Sequence, residues 1–395
     1  MPKSRVAVIG VGETVFKHHV ADKTYIELAQ DAAKAALNDA GLTPDDIEAV
    51  VFSMAPTQFM GVNDAEKWSV DSIWASGKPF MRIHTGGATG GSALHAGYVH
   101  VASGMYSTVL VAGADRVAET PDAQHILNLI WDPFYEQDFA LNTVTMTALS
   151  TQRYMHKYRT TEEQYARVVV RSRKNAIKNP YAHLKGNITV EDVMASPRMS
   201  WPYKLFDICP RSTGAAAIIL ANEEITKKHC ARPAFINGIG GVASTVFMGD
   251  RLGPYADVEL SEETEFVSAG KEAYAQAGIT DPIKQIQVVE LYDPFSSIQF
   301  PQLESLGFCK PGQAQNLSDE GAFEIGALLS VNPSGGALCS NPIGVTGLVR
   351  VADAALQVMG KAREGQVSGV QNALSTAIGG SVQFANCTIL GADYV

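Results

Sequence analysis

No cysteine precedes Cys209 and no histidine follows His229 in this chain of 395 residues. A thiol nucleophile in the first half is therefore excluded, as is an imidazole base in the second. The five cysteines (209, 230, 309, 339 and 387) form no CxxC pair and no zinc-ligand spacing. They read as reduced, mostly buried thiols, so neither a bound metal nor a covalently attached cofactor is expected. No run reaches the roughly 20 uninterrupted apolar residues of a membrane-spanning helix, so no membrane association is expected. Met1-Pro2-Lys3-Ser4-Arg5 leads directly into the buried-strand pattern Val6-Ala7-Val8-Ile9, without the features of a signal or transit peptide. That opening implies a cytoplasmic location. The net charge of -10 comes without an acidic tail, and Arg171, Arg173 and Lys174 are too local to form a basic face, which argues against a nucleic-acid partner.

What the chain does have is glycine, 35 in all, and an internal repeat. Residues 32–42 form an apolar helical pattern stopped at Gly41, followed by a turn and the strand pattern Ile47-Glu48-Ala49-Val50-Val51-Phe52. Residues 272–279 repeat the plan, stopping at Gly278 before the strand pattern Ile286 to Tyr292. The stretches Arg5 to Gly12 and Pro233 to Gly241 are likewise matching apolar strands that run into glycines. A period near 230 residues predicts an α/β protein of two similar, largely parallel halves. Between them, residues 119–205 are richer in charged, aromatic and proline residues, and include a helical stretch from about Thr143 to Lys178. This segment is expected to be a loop domain over one mouth of the core. The domain limits are then 1–118 with 206–230 for the first half, 119–205 for the insertion and 231–395 for the second half.

Three segments carry the chemistry. The first is Ile83-His84-Thr85-Gly86-Gly87-Ala88-Thr89-Gly90-Gly91, a strand-to-helix elbow whose glycines permit positive φ and close approach of a ligand to backbone at a helix N-terminus. The second is Glu290-Leu291-Tyr292-Asp293-Pro294-Phe295, where a phenol follows a strand. The third is Asn332-Pro333-Ser334-Gly335-Gly336, followed by Asn341-Pro342-Ile343-Gly344-Val345-Thr346-Gly347. Cys339 lies between the two parts of this last segment and is a weaker candidate nucleophile. Cys209, beside a strand pattern, reads as a buried structural thiol. His84 is the nearest titratable group to the elbow, and His95 lies further along the helix.

These segments resemble the active-site loops of thiolases with their reactive residues exchanged. The resemblance covers nearly the whole chain, with Cys209 to Leu220 similar to the family's S-D-G-A-A-A strand. Gly87 falls where thiolases carry the elbow cysteine, Tyr292 and Pro294 where sterol-carrier-type thiolases carry histidine and cysteine, and Asn341 where the family has its late histidine. The late cysteine is also missing, its stretch being occupied by Ala377-Ile378-Gly379-Gly380. I-H-x-G-G and Y-D-x-F are shared with thiolase-like aldolases that act on steroid acyl-CoAs. Those aldolases place a second tyrosine near the late histidine position, where this chain has Asn341.

The resemblance implies a thiolase fold, two βαβαβαββ halves in five αβαβα layers, with coenzyme A as the carrier of the substrate. Tyr292 is the implied acid/base, with the Asn341 amide and the Gly87 backbone as oxyanion donors. Gly86, Gly90, Gly336, Gly344 and Gly380 are expected to line the substrate site, with coenzyme A contacts from the insertion and from Gly240 to Gly253. The leading reading is retro-aldol cleavage of a β-hydroxyacyl-CoA, which needs no nucleophile. An atypical β-ketoacyl-CoA thiolase using free coenzyme A, of the benzoylsuccinyl-CoA type, and a non-catalytic scaffold subunit are the alternatives. The family also implies a homodimer, here through Thr108 to Gly113, and a small subunit with a zinc ribbon and an oligonucleotide-fold domain, giving a heterotetramer.

Overall fold

The computed structural model describes residues 4–139, 141–245, 247–251, 259–380 and 382–394. Strand β1 (Val6–Glu13) shows how the chain builds layers. Ala7 and Ile9 point into one core, and Val6 and Val8 point into another on the opposite face of the sheet, as the period of two requires. Helix α1 (Tyr25–Ala40) begins at a capping box of Thr24 and Glu27 and ends at Gly41 with φ 64°. Its buried stripe includes Ala29, Ala32, Ala33 and Ala36, small enough for the helix backbone to touch the strand. A Cβ on Gly10 would lie 2.3 Å from the Ala36 carbonyl oxygen.

The first half continues through β2 (Ala49–Ser53), β3 (Phe80–Ile83), α2 (Thr89–Ala102) and β4 (Thr108–Arg116). The insertion contributes α3 (Ala123–Asn128), α4 (Thr143–Tyr158), α5 (Glu162–Ala176), α6 (Val190–Ala195) and the hairpin β5 (Arg198–Ser200) with β6 (Tyr203–Lys204). The helical stretch expected from Thr143 to Lys178 is thus two helices. Arg159, at φ 61°, ends the first, and the Thr161 side chain caps the second. β7 (Thr213–Asn222) and α7 (Glu223–His229) complete this half.

The second half runs β8 (Ala234–Ala243), α8 (Glu265–Ala277), α9 (Pro282–Gln285), β9 (Val288–Glu290), α10 (Gln299–Ser305), α11 (Ala314–Asp319), β10 (Ser330–Val331), α12 (Thr346–Met359), β11 (Asn372–Gly379) and β12 (Phe384–Gly391). The repeat is visible in α8, which ends at Gly278 with φ 63° as α1 ends at Gly41. The strand order is β3-β2-β4-β7-β1-β8-β12-β11-β9-β10. Five layers follow from the packing. α1 covers the first-half strands from outside, α2 and α12 lie between the halves, and α8 covers the second-half strands.

Two expectations are corrected here. The halves are mixed rather than largely parallel. β2 pairs in parallel with β3 and β4, but β7 and β1 join antiparallel, and the second half repeats this arrangement. Both faces of the sheet are covered by helices, so an antiparallel strand here is as apolar as a parallel one and composition alone does not reveal its direction. Second, the segment Thr108 to Gly113 lies in β4, hydrogen-bonded on both sides by β2 and β7, and has no edge to offer another chain. The open edge of that half is β3.

No helix among the described residues is long and apolar enough to cross a membrane. Of the stretch Gly240 to Gly253, residues 246, 252 and 253 lie outside the described residues.

Candidate functional site

The elbow between β3 and α2 turns at Gly86, with φ 60°, and the turn is closed by Ala88 N–H donating to the Thr85 carbonyl at 3.2 Å and Thr89 N–H to the Gly86 carbonyl at 3.2 Å. It packs backbone to backbone on the end of β11. A Cβ on Gly86 would lie 2.9 Å from Gly380 N, and one on Gly87 would lie 2.5 Å from the Ile378 carbonyl oxygen and 3.1 Å from the Tyr292 hydroxyl. The phenol therefore stands beside the place where an elbow side chain would project. Gly86, Gly87 and Gly380 are partly exposed.

Tyr292 follows β9 and is 3% exposed. Its N–H donates to Thr376 Oγ1 at 2.8 Å, its carbonyl accepts from Gln302 Nε2 at 3.0 Å, and its hydroxyl donates to Asn341 Oδ1 at 3.0 Å. Burial pushes the phenol well above its usual pKa, and neighbouring Cys209 adds to this. The free site thus holds a protonated, donating tyrosine.

Asn341 is 5% exposed. Oδ1 accepts from Tyr292 Oη, from Thr346 Oγ1 at 2.7 Å and from Ile343 N–H at 3.3 Å, while Nδ2 donates to Cys209 Sγ at 3.0 Å. Three donors on one atom assign that atom as the amide oxygen. The Asn341 backbone is held by Ser212, whose Oγ accepts from Asn341 N–H at 3.1 Å. As an oxyanion donor Asn341 has one N–H committed to Cys209, and its orientation toward Tyr292 makes it the phenol's acceptor. Cys209 is partly exposed as a residue, but burial of its sulfur pushes the thiol up to about 12. It is a neutral thiol at ordinary pH.

Beneath these groups lies a charged layer that the motifs only hint at. Glu290 accepts from Ser334 N–H at 3.1 Å and from Arg350 at 2.7 Å, and Arg350 also donates to Asp353 at 2.9 Å. Asp293 accepts from Ala337 N–H at 2.7 Å and from Gln299 Nε2 at 2.7 Å, and burial raises its pKa to about 6. These bonds fix the Asn332 to Gly336 loop against the strand end that bears Tyr292. On the other side Asp115 accepts from Ala55 N–H at 2.8 Å and Val345 N–H at 2.9 Å, fixing the loop that bears Asn341. Carboxylates that organise loop amides leave no spacing signature in sequence, so Asp115 is found only in the fold.

The remaining expected site residues fall elsewhere. Gly90 is buried between the central helices, where a Cβ would lie 2.2 Å from Leu348 N. Gly344 packs on Ala55 N, with a Cβ distance of 2.2 Å, and Gly336, at φ 70°, packs on Asn332 and Asp293. These three glycines serve chain packing and face no ligand space. Cys339 is fully buried against Ala176 and Ala182, and burial raises its thiol to about 12. It is a core thiol. His84 is exposed at the end of β3. Among the described residues no group of three His, Cys, Asp or Glu is arranged to hold a metal ion.

Comparison with known proteins accounts for this architecture. The family model for the N-terminal domain of thiolase matches residues 6–194, and the model described as thiolase C-terminal domain-like matches residues 256–392. The chain belongs to the thiolase family. It is 30% identical over 378 residues to an acetyl-CoA acetyltransferase of Methanothermobacter thermautotrophicus, covering 95% of this chain and 96% of that one. It is also 30% identical over 407 residues to a steroid side-chain-cleaving aldolase of Thermomonospora curvata, covering 98% of each. The solved structure of an Ltp2-ChsH2(DUF35) aldolase superposes with a TM-score of 0.84 at 30% identity over 99% of both chains. The relatives thus include both a thiolase-type acetyltransferase and aldolases.

Proposed function

We propose that this protein cleaves the Cα–Cβ bond of a β-hydroxyacyl-CoA by a retro-aldol reaction. The observation that carries this reading is the pairing of a side-chain-free elbow at Gly87 with the Tyr292 hydroxyl beside it. At the elbow an acyl-enzyme has no atom to form on, whereas a proton donor stands beside it. In the reaction the β-hydroxyl loses its proton as the new carbonyl forms. The Cα–Cβ electron pair moves into the enolate of the thioester, and Cα takes up a proton. Tyr292, protonated in the free site, is proposed to give its proton to Cα and to take the one released by the β-hydroxyl, ending the cycle as it began, with Asn341 Oδ1 orienting its hydroxyl. The backbone of the elbow at Gly86 and Gly87 is the proposed donor to the thioester oxygen, where charge develops.

The aldolases among the relatives support the same reaction type. The DUF35 component of the solved aldolase complex supports a second, smaller subunit, proposed to carry the zinc ribbon and oligonucleotide-fold domain in a heterotetramer. A homodimer is proposed through the open edge of β3, since β4 is paired on both sides. Five unpaired cysteines suit a cytoplasmic location.

The test is to offer the purified protein, with and without such a subunit, β-hydroxyacyl-CoAs and β-ketoacyl-CoAs. Release of an aldehyde or ketone from the β-hydroxy substrate without added coenzyme A is expected. Cleavage of only the β-keto substrate, and only with free coenzyme A, would replace this reading with thiolysis. No cleavage in any combination would leave a scaffold.

A further inference from the structure

The stretch that leads into β7, from Cys209 to Ser212, is bonded to both segments that carry the site. Cys209 N–H donates to the Pro294 carbonyl at 2.9 Å, and Ile208 forms a bridge with Phe295. The backbone at Cys209 is thereby tied to the strand end that bears Tyr292. Further along, Ser212 holds the Asn341 main chain from both sides. Its Oγ accepts from Asn341 N–H at 3.1 Å, and its own N–H donates to the Asn341 carbonyl at 3.1 Å. His183 Nδ1 meets the same Oγ at 3.0 Å, and His183 N–H donates to Ser340 Oγ at 2.9 Å, which joins this clamp to the insertion.

With its main chain held, what can still turn in Asn341 is the side-chain amide, whose two ends are alike in size and opposite in hydrogen bonding. Its Oδ1 end meets Tyr292 Oη at 3.0 Å, Thr346 Oγ1 at 2.7 Å and Ile343 N–H at 3.3 Å. Its Nδ2 end donates to Cys209 Sγ at 3.0 Å. A buried amide N–H deprived of its acceptor is costly, and a side chain relieves that cost by turning. Turning the Asn341 amide takes Oδ1 away from the phenol. The sulfur is a fixed anchor for the nitrogen end, because burial keeps the thiol neutral up to about 12 and its bonding role does not change over ordinary pH.

We infer that Cys209 is a positioning residue: its sulfur anchors the nitrogen end of the Asn341 amide and thereby aims Oδ1 at the Tyr292 hydroxyl. The bond from Cys209 N–H to Pro294 keeps this anchor and the tyrosine on one piece of backbone. The inference rests on Tyr292 being the acid/base, as proposed above, and holds for a β-hydroxy or a β-keto substrate alike.

Two variants of the full chain test it. Cys209→Val is close in size and offers no acceptor, whereas Cys209→Ser keeps one; Cys209→Ala replaces the valine variant should that one not fold. The first measurement needs no substrate. Tyrosine is labelled for carbon NMR at the ring carbon that bears the hydroxyl, and the Tyr292 signal is identified by its loss in Tyr292→Phe. That signal reports what the phenol bonds to, and it is expected to move in Cys209→Val and to stay near its wild-type place in Cys209→Ser. The second measurement follows cleavage of β-hydroxyacyl-CoAs, and of β-ketoacyl-CoAs with free coenzyme A. In Cys209→Val kcat should fall about five- to tenfold with KM changed less than about twofold, and Cys209→Ser should recover most of the loss. An unmoved Tyr292 signal in Cys209→Val overturns the inference, as does a rise in KM with kcat intact. The two readings separate. A moved signal with cleavage of β-keto substrates alone supports the anchor and defeats the retro-aldol reading, whereas an unmoved signal with cleavage of β-hydroxy substrates does the reverse.

Discussion

Gly87 and Tyr292 divide one space: a Cβ at position 87 would sit 3.1 Å from the phenol oxygen and 2.5 Å from the Ile378 carbonyl. The tyrosine and the missing side chain are therefore one structural change. Gly87→Ala is expected to displace the end of β11 or the tyrosine ring, costing about 1–3 kcal/mol. Denaturant unfolding measures the loss of stability, and the cleavage rate should fall with it. An alanine variant with wild-type stability and rate would show that the elbow yields without cost.

Removing the phenolic oxygen while keeping the ring tests the acid/base assignment. Tyr292→Phe should lower kcat about 10²–10⁴-fold with a much smaller change in acyl-CoA affinity. A near wild-type kcat would refute the role given to Tyr292.

Asn341→Leu keeps the branched side-chain shape, though with bulkier ends, but withdraws the acceptor shared by Tyr292 and Thr346. Each hydroxyl left unpaired in the buried site costs about 1–3 kcal/mol. A lower melting temperature should accompany a loss of kcat, because the phenol is no longer aimed. Loss of stability with kcat intact would confine Asn341 to packing.

Arg350 is almost fully buried and bonds to both Glu290 and Asp353. Arg350→Met would leave two buried carboxylates without their counter-charge, and a loss of about 3–5 kcal/mol is expected. Urea midpoints of the two proteins at neutral pH provide the comparison. A midpoint unchanged within error would mean that the layer under the Asn332 to Gly336 loop does not depend on this ion pair.

His95 on α2 bonds Thr388 Oγ1 at 3.0 Å, and burial lowers its pKa from 6.5 to about 4. The unfolded chain binds a proton at this residue below pH 6.5 while the folded chain stays neutral until about pH 4. Its contribution is thus fully present above pH 6.5 and is lost as pH falls toward 4. The difference in unfolding free energy between wild type and His95→Gln, measured across that interval, should shrink as the solution is acidified. A flat difference would mean that His95 titrates alike in both states.

Much of this site can be read in the sequence because loops that place reactive groups are short and their order is rigid. The elbow, the Tyr292 strand end and the Asn341 loop do meet, as their motifs imply. Which glycines face the cleft cannot be read. Gly86 and Gly90 look alike in sequence, yet one borders the opening and the other lies between two helix backbones. Cys209 is the converse case. Its apolar, strand-adjacent setting suggests a core thiol, and only folding brings it to the Asn341 amide. Strand direction escapes the sequence for a related reason. The repeat reports that the halves are alike, but hydrophobic runs carry no arrow, and buried antiparallel strands such as β7 look like parallel ones.

The seam between the halves consists of two residue pairs, Ala7 with Phe235 and Val8 with Ala234. Such a seam is a hinge line more than a wall, so the spacing of the two halves is set where α2 crosses α12. At that crossing Gly90 comes up against Leu348 N. A single methyl group there would act as a wedge far from any reacting atom, tilting the elbow away from the loop that bears Asn341. The width of the cleft is thus gauged by one hydrogen atom on a residue with no chemistry of its own.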